Sequence, residues 1–168
     1  MKLIDLINQL KNLKSIPGIK VLQPFANFII RGIKSIEIRT YNTKYRGILG
    51  ILASGWHSYY DEDKTRRLYA PIFFYNYALI GFVILKDIKY YTNKFDFKKD
   101  YQFHLNDPEF LWSDPCYGWI FEDPTIIRPL YYNHSKNRDK MDIRGVKSSN
   151  LWGACYQQRG CSNMDYFT

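Results

Sequence analysis

Apolar and polar positions alternate along the 168-residue chain in a way that divides it into short elements of changing type. Leu3, Leu6, Ile7, Leu10 and Leu13 recur at helical spacing opposite Lys and Asn, which predicts an opening amphipathic helix ended by Pro17-Gly18. Residues 19–22 form a short strand candidate. Pro24 suits the first turn of a helix, where its missing N–H costs nothing, and Gly32 suits the left-handed residue that closes one. Phe25, Phe28 and Ile29 supply the buried stripe of that helix.

After Gly32 the period falls from about 3.6 to 2. Residues 35–39 alternate as a strand, with Ile36 and Ile38 directed to the core and Ser35, Glu37 and Arg39 sharing the other face. Tyr45-Arg46-Gly47 reads as a turn and residues 48–53 as an almost wholly apolar strand. A charged segment follows at 58–67, with a helix starting near Asp61. Residues 78–85 are the strongest strand, Gly81 marking a bulge or a close backbone approach. Residues 117–121 form another strand, and Asp123-Pro124 and Arg128-Pro129 punctuate the chain beyond it. The polar stretch 133–150 reads as a long loop. No repeat or linker interrupts this order, which predicts one α+β domain: a small, mostly antiparallel barrel with a few flanking helices over 19–153. Residues 1–18 form an N-terminal helical extension and 154–168 a C-terminal tail.

Composition adds three constraints. An apolar fraction of 46% can fill a core, and the 15 tyrosines supply large rings for it or for stacking. The longest apolar run, 78–85, falls far short of the roughly 20 residues a membrane-crossing helix needs, so no membrane partner is expected. Asp5, Asn8, Gln9 and Lys11 break any signal-type apolar segment at the start. Cys116, Cys155 and Cys161 are odd in number and lack metal-ligand spacing, and His57, His104 and His134 are scattered. Together they predict reduced thiols in a cytoplasmic protein, with no metal and no cofactor.

The net charge of +8 becomes informative once located. Arg31, Lys34, Arg39, Lys44 and Arg46 stand against Glu37 alone in the window 31–46. Arg128, Lys136, Arg138, Lys140, Arg144 and Lys147 stand against Asp139 and Asp142 in the window 128–147. Elsewhere the charges balance. If the fold joins the windows, Arg138, Lys140, Arg144 and Lys147 extend one positive surface suited to phosphates; otherwise they are two solvated loops.

The densest chemistry lies in Gln23-Pro24-Phe25-Ala26, Gly32 to Arg39, Tyr45-Arg46-Gly47 and Ala53-Ser54. Alternation places Glu37 and Arg39 on one side of a strand, where opposite charges let both stay ionised. A solvated face carrying one weak surface pair is the plain explanation of such a spacing. These blocks resemble, however, the signature of the ASCH family: QPWA, GxKxxExR, YRG, and an apolar strand ending in AS. Further along, Gly81 to Leu85 with Asp87, then Trp119, Pro129, Gly145 and Leu151-Trp152, resemble the family's later positions. The likeness runs over about 21–153, with Phe25 in place of the usual Trp and a longer loop at 133–140.

The resemblance implies a PUA-like barrel with a basic cleft beside the GxKxxExR strand that holds RNA, another nucleic acid or a nucleotide-like ligand. Lys34, Glu37, Arg39 and Arg46 would line that cleft, with Ser35 beside them. Lys34 and Arg46 would neutralise phosphate. Arg39 would be fixed by Glu37 or read a base edge, and Glu37 would accept from an exocyclic amine. Tyr41, Tyr45 and Trp56 offer stacking faces, and the core is the commoner fate of such rings. The alternative is a small hydrolase, a ribonuclease or an amidohydrolase of a modified nucleoside, using Lys34 and Glu37. Related amidohydrolases use a Lys-x-x-Thr pair, and Glu37 stands where that threonine would be, so an alcohol nucleophile is missing. Asp61-Glu62-Asp63 is the one dense acidic run and reads as a helix cap.

Overall fold

The computed structural model describes residues 15–109, 111–131 and 146–147. Strands β1 (Ser15–Ile16) and β2 (Gly18–Gln23) lead into helix α1 (Phe25–Ile30), then β3 (Ile36–Arg39) and β4 (Gly47–Trp56). Helix α2 (Glu62–Leu68) and the long strand β5 (Ala78–Tyr91) follow, then the short helices α3 (Lys94–Lys99) and α4 (Tyr101–His104). Strand β6 (Cys116–Tyr131) and strand β7 (Val146–Lys147) complete the order. The main sheet runs β2-β4-β5-β6-β3, parallel between β2 and β4 and antiparallel elsewhere, and β1 pairs with β7 in a second, two-stranded sheet. The architecture is α+β. No ladder joins the edge strands β2 and β3 among the described residues, so the sheet is curled rather than closed by its backbone.

Local chemistry explains the elements that position the site. Gly32, at φ +71°, ends α1 in the left-handed conformation: its N–H donates to Ile29 O at 3.0 Å while Ile33 N–H donates to Phe28 O at 2.9 Å. This pair of bonds is the Schellman arrangement, and it turns the chain sharply into β3. Pro24 stands at the N-cap of α1, one position earlier than the sequence reading placed it. Asp61 caps α2 by accepting from Lys64 N–H at 2.8 Å, as the acidic run predicted. Two fully buried amides, Gln23 and Asn27, bond each other and hold the segment after α2: Gln23 Nε2 donates to Tyr75 O at 2.7 Å and Asn27 Nδ2 to Phe73 O at 2.8 Å.

The prolines that punctuate 123–129 do not end a strand. β6 runs through both, and its register against β5 shifts between Phe82 and Ile84 and again between Leu79 and Gly81. Each proline therefore falls at an irregularity, where no ladder N–H is required of it. Gly81 sits in this region because the backbones approach: a Cβ there would lie 2.5 Å from Thr125 O and 2.8 Å from Ile30 Cγ2. Gly81→Ala should therefore cost about 1–3 kcal/mol, the range for forcing extra volume into a packed core. A thermal or urea midpoint equal to the parent's would show that the strands have room to part. The core lies between α1 and the sheet and includes Phe28, Ile29, Ile51, Ile80 and Val83.

Candidate functional site

Lys34 follows the turn at Gly32 and points inward. Its side chain is completely enclosed, the ammonium lying 4.4 Å above the Phe25 ring. Nζ has three oxygen partners: the His104 carbonyl, Asn106 Oδ1 at 2.9 Å and Glu37 Oε2 at 3.5 Å. An ammonium has three N–H donors, so all are engaged. Burial pulls the Lys34 pKa down to about 8, against the attraction of Glu37, which leaves it charged at neutral pH. Glu37 Oε1 meets Arg39 Nη2 at 3.4 Å, so one carboxylate is held between two cations. Arg39 also donates from Nη2 to Lys20 O at 2.5 Å, reaching from β3 to β2, while its buried Nε–H has no partner among the described residues.

The alternation on β3 stands: Ile36 is buried, Ile38 half-buried, and Glu37 and Arg39 share the opposite side. Lys34 and Arg39 flank the Glu37 carboxylate, and a tenth of its side chain stays exposed. Lys34 does not offer its charge to a phosphate in this conformation, because all three donors are taken internally. Arg46 is exposed and bonds Asp87 at 3.1 Å, away from Glu37's own partners. Ser35 is half-buried, its backbone bonding Phe103 and Phe121.

Tyr41, Tyr45 and Trp56 are engaged in packing. Tyr41 stands edge-on to Trp119 at 5.4 Å, Tyr45 donates its hydroxyl to Ile48 O at 2.6 Å, and Trp56 packs on Phe74 with Arg66 over its ring. Arg138, Lys140 and Arg144 lie outside the described residues. Lys147 is described as a β7 position only, paired with Ser15.

His104 and Asn106 belong to the site and were not foreseen. His104 is fully buried, stacked on Phe97 at 4.0 Å, with Nε2 2.7 Å from Phe97 O. A carbonyl cannot donate, so Nε2 carries the proton. Nδ1 then accepts from Asn106 N–H at 3.0 Å, which fixes a neutral imidazole. Burial holds the pKa of His104 down to about 4, with Lys34 adding to the effect and the Phe97 and Asp100 contacts opposing it. The same residue pair thus bonds itself and presents two oxygens to Lys34.

A curled α+β sheet with a buried lysine and carboxylate and a half-buried arginine in series beside one edge strand defines a small domain built around a charged cluster. The chain belongs to the ASCH domain family, whose model matches residues 19–166. No curated protein matches the chain. Among solved structures, the ASCH protein of Zymomonas mobilis is 15% identical, with TM-score 0.54, covering 83% of this chain and 93% of its own. Two single-substitution variants of that protein match with TM-score 0.55 at 14% identity, also over 83% of this chain and over 95% and 94% of theirs. At this identity the likeness shows the fold.

Proposed function

We propose that this chain is a nucleic-acid-binding module that holds an unpaired RNA base beside β3. The observation that carries the reading is the pairing of functions there: Glu37 supplies acceptor oxygens, and the buried Arg39 Nε–H supplies a donor with no partner among the described residues. Acceptor beside donor is the pattern a nucleobase edge meets. Lys34 acts from inside, fixing Glu37 rather than touching phosphate. Phosphate contacts fall to exposed cations of the first window, Lys44 and Arg46, and to Arg138, Lys140, Arg144 and Lys147 of the second. Two contacts favour proximity of the windows: β7 pairs Lys147 with Ser15 just before β2, and Arg39 reaches β2 at Lys20. In this reading the sheet works as a PUA-like barrel whose remaining gap Arg39 spans, inside a cytoplasmic protein.

Glu37→Gln keeps the shape and removes the charge. Its affinities for short single-stranded RNAs of different base should shift relative to one another by about 1–3 kcal/mol, the range for one base contact. Unchanged preference would remove Glu37 from recognition. Neutralising Arg138, Lys140 and Arg144 together should weaken all sequences alike and flatten the log affinity–log salt slope by roughly 0.7 per lost contact. An unchanged slope would make the second window a solvated loop.

The alternative is a hydrolase: Lys34 Nζ lies enclosed at 3.5 Å from Glu37 Oε2, and burial pulls its pKa down to about 8, toward the range in which a lysine serves as a base. Incubation with labelled RNA and with acylated nucleosides, with and without divalent metal, decides. Turnover that vanishes in folded Glu37→Gln would replace the binding reading with the hydrolase.

A further inference from the structure

The sheet face that carries Glu37 continues into a row of tyrosines. Residues paired directly across antiparallel strands point to the same side. The ladders align Glu37 with Trp119 and Ile88, and two residues further along they align Arg39 with Tyr117 and Tyr90. The first row is covered: Trp119 is buried, with Tyr41 edge-on to its ring at 5.4 Å. The second row emerges toward solvent. Arg39 and Tyr117 are half-buried and Tyr90 is 49% exposed, its ring centre 5.0 Å from that of Tyr117 and its plane inclined by 36°.

Position, spacing and charge make this row suited to a base. Arg39 closes β3, Tyr117 is the second residue of β6 and Tyr90 the last but one of β5, so the rings stand at strand ends. Both rings rise from laddered backbone, which fixes their placement before any partner arrives. Neighbouring strands lie about 4.8 Å apart, and two residues along a strand span about 7 Å. Tyr117 therefore stands one strand from Arg39 and about 8 Å from Glu37. Stacked nucleotides follow one another every 3.4 Å or so and splayed ones farther apart, so adjacent nucleotides cover that interval. The chain leaves Arg39 directly into residues 40–46, where Lys44 and Arg46 are exposed, in a protein of net charge +8. The neighbouring acids are engaged: Asp114 accepts from the Tyr90 hydroxyl at 3.4 Å, and Asp87 pairs with Arg46.

We propose that Tyr117 and Tyr90 form a stacking platform for a second RNA base, the neighbour of the one held beside β3. The inference rests on that reading of β3 and adds the direction of the strand, from β3 across β6 to β5. The two subsites divide the work. Every base has a π-face, so the tyrosine pair holds any of them, whereas Glu37 discriminates by its acceptor oxygens.

The full chain is titrated with end-labelled single-stranded RNAs, one homopolymer for each base, and fluorescence anisotropy reads the affinity at several salt concentrations. Tyr90→Ala changes an exposed residue and should weaken all four oligomers alike, by at least about fivefold, the low end for one stacked base. The salt slope should stay at the parent's value, because no phosphate contact is lost. Tyr90→Phe keeps the ring and should bind as the parent does. Tyr117→Leu should match Tyr90→Ala, with urea unfolding to show that the half-buried site still folds. Parental affinity in folded Tyr90→Ala overturns the platform and leaves the β3 reading standing. A loss in Tyr90→Phe equal to that in Tyr90→Ala also overturns it, by assigning the effect to the hydroxyl on Asp114. Affinity that responds to the tyrosines but whose base preference ignores Glu37→Gln keeps the platform and removes Glu37 from recognition. A parent that binds none of the oligomers overturns both.

Discussion

Lys34→Ala is expected to destabilise the protein by about 3–5 kcal/mol, the range for removing one partner of a buried ion pair. Three losses combine. Glu37 keeps its burial but, among the described residues, retains Arg39 alone as a cationic partner. The His104 carbonyl and Asn106 Oδ1 lose their shared donor, and an unpaired buried polar group is costly. The space left over the Phe25 ring also forfeits packing. Urea unfolding of the parent and the variant measures the sum. Replacing both charges, as Lys34→Met with Glu37→Gln, should recover part of it, because no charge is then left uncompensated. A single substitution costing under about 1 kcal/mol would mean that water replaces the ammonium freely, and the enclosed network would lose its structural role.

Acid should act through His104. Its pKa is about 4 in the fold against an ordinary 6.5, so the unfolded chain binds this proton first as pH falls. Stability from the neutral ring is complete above pH 6.5 and is lost progressively as pH drops through about 4. The contribution is on the order of 3 kcal/mol, at 1.36 kcal/mol per unit. Protonation also has a structural effect: a hydrogen on Nδ1 would face Asn106 N–H, breaking the turn that presents Asn106 Oδ1 to Lys34. His104→Gln cannot titrate, and its unfolding free energy should be flatter than the parent's between pH 6.5 and 4. Parallel curves for the two proteins would show that another group governs the acid response.

What was legible in the sequence is what neighbouring residues decide among themselves. Gly32 announces a left-handed helix end, the 35–39 alternation sets the faces of β3, and Asp61 caps the helix after it. The close approach at Gly81 was readable because only glycine leaves room for it. The interior of the site was not readable in this way. Lys34 is enclosed by residues about seventy positions away, and no local rule ties a lysine after a glycine turn to a carbonyl so distant. Helices α3 and α4, which bring His104 and Asn106 there, are too short to show a helical period, and Asn93 as a cap with Asp96 in the first turn is the local signal they carry. A lone histidine such as His104 carries no spacing to read. The prolines of β6 misled for the converse reason: proline breaks a regular ladder, but this strand is irregular where they stand.

Among the described residues the Arg39 side chain bridges the two edges of the sheet, and that affects how the molecule breathes. Parting two laddered strands ruptures a row of backbone bonds together, whereas parting β2 from β3 requires Arg39 to release Lys20 O. A rotamer change in one partly exposed residue takes far less time and energy than the loss of a ladder. The seam is therefore the compliant line of the structure, and its stiffness is set by the residue that also faces Glu37. Any group that draws Arg39 toward the carboxylate slackens the seam, and one that leaves it on Lys20 keeps the seam taut. Amide exchange along β2 then serves as a gauge of where the Arg39 side chain lies.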